Sequence, residues 1–211
     1  GYSPIMGLAA RYLWAPLLDL VMRQEPVMRQ RRKVVPLARG RVLEIGIGSG
    51  LNLSFYDPAR VERVSGLDPA VELQDRSRIR AAATTIDVQL LTGSAEDIPF
   101  EDKSFDTVVS TFTLCSIPAV GRALREMRRV LKPEGRLLFA EHGLSADAAV
   151  ARWQQRLNPA WRVISRGCNM DRPIASLLRE SGFVADPIET LYLPGPKVLN
   201  FHYWGAAAPG R

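Results

Sequence analysis

The chain has 211 residues, of which 46% are hydrophobic and 24% charged, a balance typical of one globular domain that buries its core without disulfides. Its two cysteines form no C-x-x-C pair and its two histidines are too few for a histidine metal centre, so a disulfide-rich secreted domain is excluded and no metal is expected. The formal charge of +6 fits an anionic ligand or lipid surface, although we favour a solvated, arginine-rich surface. We expect a single domain over residues 1–211 in a reducing, cytoplasmic compartment.

Two helical patterns occupy residues 1–39. Apolar residues between Leu13 and Val21 recur at helical spacing, but this run is too short to span a bilayer of ~30 Å. A second pattern opens at Pro26 and carries a basic cluster over residues 29–33. We expect these helices to form a lid over a ligand site, and their amphipathic pattern also permits peripheral contact with an anionic membrane.

A short apolar run leads into three alternate glycines in the stretch VLEIGIGSGLN, residues 42–52. This pattern predicts a buried strand, a tight turn and a helix start, and a missing Cβ lets a ligand approach the backbone closely. The third glycine comes one residue too early for the dinucleotide fingerprint G-x-G-x-x-G, and Glu44 would repel a pyrophosphate. We therefore interpret the stretch as a loop for a positively charged ligand, the alternative being a turn that only joins strand and helix.

The remaining elements alternate strands with helices. Strands are predicted at 60–67, 86–91, 105–111 and 137–140, and helices at 51–56, 70–83 and 118–133. A helix that begins at Trp153 is expected to break at Asn158 and Pro159, with residues 161–170 irregular and a last helix over 174–181. Residues 184–193 and 199–206 predict an antiparallel pair. The fold class is α/β, a Rossmann-like, doubly wound, mostly parallel seven-stranded sheet closed by this C-terminal pair.

Polar side chains follow several of the predicted strands. Asp68 ends the second strand, where its two oxygens could accept hydrogen bonds from both hydroxyls of a ribose; the alternative is a cap for the next helix. In open α/β sheets ligands bind beyond the carboxyl ends of the strands. Residues 111–116 and 141–143 are therefore expected at the rim of an active site.

Four blocks in order, VLEIGIGSG, VSGLDP, GSAEDIPFEDKSFDTVVST and LREMRRVLKPEGRLLFAEH, resemble the class I S-adenosylmethionine (SAM)-dependent methyltransferases, in particular the methyltransferase type 11 group. The resemblance covers about two-thirds of the chain and implies that SAM is the cofactor and S-adenosyl-L-homocysteine the product. The family often has an acid where this chain has Ser94, which leaves Ala95 and Glu96 as the nearest candidates for the adenine contact. The implied cofactor-binding residues are Glu44, Gly46, Gly48, Gly50, Asn52, Asp68, Pro69, Ser94, Ala95, Glu96 and Thr111.

Further resemblances reduce the number of candidate classes of methyl acceptor. Residues 111–116 lack the polar-Pro-Pro-aromatic motif of nucleic-acid base methyltransferases, so no nucleic-acid partner is expected. The segments TLCSI, AEHG, WQQRLNPAW, RGCNM and HYWGAA look like the alkyl-thiol S-methyltransferases and their bacterial relatives. The segment RYLWAPLLDLVM together with the glycine stretch is similar to bacterial phospholipid N-methyltransferases. We rank a small thiol or hydrogen sulfide first, phosphatidylethanolamine second, and a SAM-binding module without turnover third.

The predicted chemistry is an in-line displacement at the sulfonium methyl group, which needs alignment more than reactive side chains. A thiol acceptor with a pKa near 8.5 must lose its proton, and His142 is the candidate base; the alternative is a histidine that only hydrogen-bonds the cofactor or a loop. Residues 40–143 are expected to form the SAM-binding core, and residues 144–211 to supply the substrate side and close the sheet. The predicted substrate-binding residues are Thr113, Cys115, Trp153 and Trp161, although a cysteine such as Cys115 is more often a buried apolar residue.

Overall fold

The computed structural model describes residues 15–210, so the start of the N-terminal lid segment, including Leu13, lies outside the described residues. A seven-stranded sheet forms the centre of the fold. Its strands are β1 (Gly40–Ile45), β2 (Val61–Asp68), β3 (Asp87–Thr92), β4 (Phe105–Thr111), β5 (Leu131–His142), β6 (Phe183–Tyr192) and β7 (Phe201–Pro209).

The strands are ordered β3-β2-β1-β4-β5-β7-β6. The first five pair in parallel, whereas β7 runs antiparallel to both of its neighbours, β5 and β6. This arrangement confirms the predicted fold class, including the antiparallel C-terminal pair. The strand order reverses between β1 and β4, because β1 connects to β2 on one side and β4 connects to β5 on the other. The chain therefore leaves these two strands in opposite directions, and this opens the crevice at their carboxyl ends where open α/β sheets bind ligands.

Helices cover both faces of the sheet. They are α1 (Ala15–Met22), α2 (Glu25–Val34), α3 (Gln74–Ala82), α4 (Val120–Val130), α5 (Ala148–Ile164) and α6 (Ile174–Glu180), with short 3-10 turns at Val35–Leu37, Val71–Leu73 and Lys197–Leu199.

The core lies in two layers, one on each face of the sheet. In β4, Val108 packs into one layer and its neighbour Val109 into the other, because successive side chains point to opposite faces of a strand. The larger layer contains Leu124 and Met127 of α4, and the smaller one contains Val34 of α2. Burial on both faces explains why the central strands are almost continuously apolar.

One of these predicted elements is wrong, and another is longer than predicted. The expected helix over 51–56 is a series of turns, with Gly50 N donating to Ile47 O at 2.8 Å and Phe55 N to Asn52 O at 2.8 Å. Side chains of this segment bond inward to the end of β1, which holds the chain out of a regular helix. The fifth strand begins earlier than predicted, at Leu131, because Leu131 already pairs with Phe105 of β4. A register shift then separates this pair from the regular pairing with β4.

The expected break at Asn158 and Pro159 is also wrong, because α5 continues through both residues to Ile164. Pro159 removes one backbone hydrogen bond of the helix. Asn158 does not end the helix, since its side chain points inward and its Oδ1 accepts a hydrogen bond of 3.0 Å from Met170 N. This contact ties α5 to the chain that follows it, so residues 161–164 are helical instead of irregular.

We predict that Asn158→Ala lowers the free energy of unfolding by about 1 to 3 kcal/mol, because it leaves the buried N–H of Met170 without its acceptor. Urea denaturation followed by circular dichroism measures this change. Gln155→Ala, at an exposed position of the same helix, is the matched control and should change the stability by less than about 0.5 kcal/mol. Equal stabilities of the two variants would contradict the structural role of Asn158.

Candidate active site

A buried carboxylate holds the glycine loop onto the end of β1. Glu44 Oε1 accepts a hydrogen bond of 3.0 Å from Asn52 Nδ2, and Oε2 accepts one of 2.7 Å from the Tyr56 hydroxyl. Burial raises the pKa of Glu44 to about 7, although these hydrogen bonds favour its charged form. Glu44 therefore supports the loop by hydrogen bonds. Its predicted contact with the cofactor stays a prediction.

The second helix of the N-terminal segment inserts an arginine into the same cluster. Arg31 Nη1 donates to Asn52 Oδ1 at 2.8 Å and to Thr111 Oγ1 at 2.6 Å. Burial lowers the pKa of Arg31 to about 10, so it stays charged at neutral pH, and Glu44 lies close enough to stabilise that charge. Its Nε has no hydrogen-bond partner within residues 15–210. Sequence reasoning placed Arg31 only in a basic cluster and missed this role.

The glycine loop itself is shaped by two positions that exclude side chains. Gly46 has a φ of +69°, and a Cβ there would overlap the side chain of Thr113. Gly48 has a φ of +53°, and its N–H donates to Asp68 Oδ2 at 2.8 Å. The backbone of the loop is thus packed against the residues that follow β2 and β4.

Asp68 lies at the carboxyl end of β2 and is partly buried. Its Oδ1 accepts a hydrogen bond of 2.7 Å from Ala70 N in the turn after β2, but no side chain caps the 3-10 turn at Val71–Leu73 or α3, so the capping alternative is wrong. Burial raises the pKa of Asp68, against the effect of its two backbone hydrogen bonds. Each oxygen accepts one hydrogen bond from the backbone and retains a lone pair for a ligand hydroxyl.

The residues predicted for the adenine contact point in different directions. Ser94 Oγ accepts a hydrogen bond of 3.1 Å from Glu96 N, Glu96 Oε1 accepts one of 2.6 Å from Ala119 N, and Ala95 is buried in the core. Pro69 continues the turn after β2. Their contact with the cofactor stays a prediction.

The first helix of the N-terminal segment also touches the glycine loop. The buried carboxylate of Asp19 accepts hydrogen bonds from Ser49 Oγ at 2.6 Å and from Arg80 Nη1 at 2.9 Å. Burial tends to raise the pKa of Asp19, but these hydrogen bonds outweigh it and lower the pKa. α1 is therefore fastened to the loop by a side chain that the sequence pattern did not single out.

A second buried carboxylate shapes the chain after β4. Glu141 accepts hydrogen bonds from Ser110 Oγ at 2.7 Å, Thr113 N at 2.9 Å and Leu114 N at 3.0 Å. Burial raises its pKa to about 8. The loop that it holds contains Phe112, whose φ of +55° is rare for a residue with a side chain.

The ring of Phe112 lies between two groups of the site. It makes an edge contact with His202, with ring centroids 5.5 Å apart, and the guanidinium of Arg31 lies 5.1 Å from its centroid. Burial, and then the neighbouring His142, lower the pKa of His202 to about 3, so this imidazole is neutral at physiological pH. Phe112 lies within the stretch 111–116 that was expected at the rim of the site, whereas His202 was not predicted as a site residue.

His142 is the centre of the predicted substrate side. Its Nδ1 lies 3.6 Å from Cys168 Sγ, and its Nε2 has no hydrogen-bond partner in the described part of the chain. Cys115 is buried, with Sγ 3.5 Å from Ser116 Oγ, and lies beside Cys168, whose thiol also faces Trp161. The structure therefore brings together His142, Cys115 and Trp161 around Cys168, a residue that the sequence analysis did not propose.

The other two predicted substrate residues are placed differently. Trp153 is 54% exposed on α5 and is covered by the guanidinium of Arg156 at 5.5 Å from its centroid. Thr113 is partly buried and donates to Thr111 O at 3.1 Å, next to the glycine loop. Trp153 thus lies at the surface, whereas Thr113 lies between the loop and Glu141.

A surface cleft of about 300 Å³ lies at the other end of the sheet, by the amino ends of β1 and β4. Two of its charged residues form an ion pair, with Lys132 Nζ 2.6 Å from Asp106 Oδ1. Because ligands of open α/β sheets bind beyond the carboxyl ends of the strands, this cleft is not the cofactor site.

We predict that Glu141→Gln removes part of the pH dependence of stability. The folded pKa of about 8 exceeds the ordinary glutamate pKa of 4.5, so the contribution of this carboxyl is fully present below about pH 4.5 and is lost as pH rises through 8. A neutral glutamine keeps acceptors for the loop, and the variant should gain stability relative to the wild type between pH 5 and 8, by at most about 1.4 kcal/mol per pKa unit.

Urea denaturation at several pH values measures this difference. Glu134→Gln, an exposed glutamate of the same strand, is the control and should follow the wild-type profile. Parallel profiles for the wild type and Glu141→Gln would show that Glu141 is ionised throughout.

Comparison with known proteins assigns the family. A family model described as a methyltransferase domain, type 11, matches residues 43–139. The human thiol S-methyltransferase TMT1A is 33% identical over 179 residues, covering 82% of this chain and 72% of that protein. The phosphatidylethanolamine N-methyltransferase of Cereibacter sphaeroides is 35% identical over 127 residues, covering 56% of this chain and 62% of that protein.

The fold is also that of a solved structure, the YcgJ protein of Bacillus subtilis, with a TM-score of 0.68 and 18% identity over 82% of this chain and 93% of that one. Among residues 15–210, no helix combines the length and the apolar character that crossing a membrane requires. The family assignment rests on the extent of the match to TMT1A. It agrees with the glycine loop and with the acidic residues at the carboxyl ends of β1 and β2. The chain belongs to the class I SAM-dependent methyltransferases, with SAM as its cofactor.

Proposed function

We propose that this methyltransferase transfers the methyl group of SAM to a small thiol or to hydrogen sulfide. The observation that carries the proposal is His142, a buried imidazole at the carboxyl end of β5 whose Nε2 has no partner within the described residues. The similarity to TMT1A, which is named a thiol S-methyltransferase, supports the same acceptor class.

The residues of the site fit SAM. The glycine loop lets the backbone approach a ligand, and the free lone pairs of Asp68 would accept hydrogen bonds from the two ribose hydroxyls. The unpartnered Nε of Arg31 would donate to the carboxylate of the methionine portion. When bound, SAM supplies an electrophilic methyl group on a sulfonium.

The chain's own residues would then prepare the acceptor. His142 Nε2 would take the proton of the thiol, because a thiol with a pKa near 8.5 is mostly neutral at pH 7. The contact of Nδ1 with Cys168 orients the imidazole, and the aromatic rings of Phe112 and His202 limit the access of water. The neutral state of His202 keeps one positive charge away from the cationic sulfonium.

Phosphatidylethanolamine is the second candidate acceptor. The Cereibacter relative supports it, as does α2, which exposes Arg29 and Arg32 beside the site. We rank it below a thiol because that match covers 56% of this chain against 82% for TMT1A. A SAM-binding protein without turnover is the remaining alternative.

We predict that Asp68→Ala weakens SAM affinity by ~1.5 to 3 kcal/mol, the usual scale for hydrogen bonds to a charged group. Isothermal titration calorimetry measures the affinity, and circular dichroism verifies the fold. Asp57→Ala is the matched control, because Asp57 also accepts a backbone hydrogen bond, from Ala59 N at 2.9 Å, but does not contact the glycine loop. An unchanged affinity in folded Asp68→Ala would contradict the ribose contact.

We predict that the full chain transfers a labelled methyl group from SAM to hydrogen sulfide or a small alkyl thiol. His142→Gln should lower the rate at pH 7 by roughly 10²- to 10⁴-fold, the usual contribution of a general base. The deficit should shrink near pH 9, where the thiol ionises without help. Mass spectrometry of the thioether product provides the measurement.

The other outcomes separate the alternatives. Labelled phosphatidylethanolamine in place of a thioether would reverse the ranking of acceptors. SAM binding without a product from either acceptor would favour the module without turnover. A His142→Gln deficit that is equal at pH 7 and pH 9 would mean that His142 positions ligands and does not act as a base.

A further inference from the structure

Two chain segments meet on the substrate side of the site. The segment after α5, which contains Cys168, is bonded to the loop after β4, which contains Cys115. Both the backbone N and the side-chain Nδ2 of Asn169 donate to Cys115 O at 2.8 Å. Arg172 Nη2 adds a hydrogen bond of 2.8 Å to Ile117 O. These contacts hold the two cysteines next to each other, and neither forms a disulfide.

The two thiols have unequal surroundings. Cys115 is 3% exposed, whereas Cys168 is only partly buried, and its Sγ lies 3.6 Å from His142 Nδ1. The neighbouring Cys115 thiol, and then the contact with His142, lower the pKa of Cys168, while the Cys168 thiol and burial raise the pKa of Cys115. An accessible thiolate beside a buried neutral thiol is the division of roles that thiol–disulfide exchange requires.

The charges around the pair favour a thiolate at Cys168. His142 and Arg172 are the basic groups that act on it. Glu141 is the acidic group nearby, and because burial raises its pKa to about 8 it is largely uncharged at neutral pH. A structural role, in which both cysteines only fill space, would need neither the imidazole nor the exposure of Cys168.

We propose that Cys168 and Cys115 form a reactive dithiol that reduces small disulfides, with Cys168 attacking and Cys115 resolving. This activity needs no SAM and does not depend on the proposed methyl acceptor. The class of substrate is a low-molecular-mass disulfide, R–S–S–R, small enough to reach a partly buried thiol. His142 acts as the proton carrier between the steps.

The reaction balances in two exchanges. Cys168 first gives its proton to His142, the resulting thiolate attacks one sulfur of R–S–S–R, the S–S bond breaks, and the leaving thiolate takes that proton from His142. Cys115 then gives its proton to His142 and attacks Cys168 Sγ, which releases the second RS⁻ to be protonated. The substrate is reduced to two RSH, and the two cysteines are oxidised to a disulfide. The hydrogen bonds from Asn169 to Cys115 O hold the two backbones close, as a disulfide between them requires.

The test uses the full chain and 2-hydroxyethyl disulfide at pH 6, followed by intact-mass and peptide mass spectrometry. The wild type should form a Cys115–Cys168 linkage without a lasting adduct, and dithiothreitol should reverse it. Cys115→Ser, whose hydroxyl can still hydrogen-bond Cys168, should accumulate one mixed disulfide at Cys168. Cys168→Ser should stay unmodified, because the remaining thiol is buried and neutral.

Alkylation by iodoacetamide provides a second measurement. In Cys115→Ser, Cys168 should react at pH 6 at least about 10-fold faster than a thiol of ordinary pKa near 8.5. Failure of the wild type to form the linkage, or equal modification of the two serine variants, would overturn the proposal. Wild-type peptide mapping decides the question even if a variant does not fold, and methyl transfer assayed separately tests the proposed function on its own.

Discussion

The site depends on a buried polar cluster that joins four separate parts of the chain. Glu44 at the end of β1 binds Asn52 and Tyr56 of the glycine loop, and Arg31 of α2 binds Asn52 and Thr111 at the end of β4. Asn52 bridges Arg31 and Glu44, and removing one partner of such a buried hydrogen bond typically costs about 1 to 3 kcal/mol, because the other polar group is left unsatisfied. The loop and the N-terminal helix are therefore held by the same electrostatic cluster.

A second buried carboxylate holds a loop by hydrogen bonds on the other side of β4. Glu44 and Glu141 end the two strands that flank β4, and each accepts hydrogen bonds from a loop at the carboxyl edge of the sheet. Glu44 holds the cofactor loop, whereas Glu141 holds the residues between Thr111 and Cys115 that lead to the substrate side. Both acids have raised pKa values because the sheet buries them on two faces.

The sequence predicted the sheet well because its central strands are short apolar runs that end in glycine or polar residues. β4 was predicted with the bounds that the structure has. The roles of Arg31 and Cys168 could not be predicted, since the partners of Arg31 lie 21 and 80 residues away and Cys168 meets His142 only after α5 has packed. The helix break predicted at Pro159 failed for a related reason, because a tertiary contact of the preceding side chain outweighs the local effect of proline.

The order of the last two strands has a consequence for how the site is assembled. β7 follows β6 in the chain but lies between β5 and β6, and its register sets His202 directly opposite His142. During synthesis β6 therefore emerges before the strand that it must pair with exists. The edge of β5 stays open until β7 has left the ribosome, so until then the nascent chain carries an exposed β-edge and His142 lacks its contact with His202.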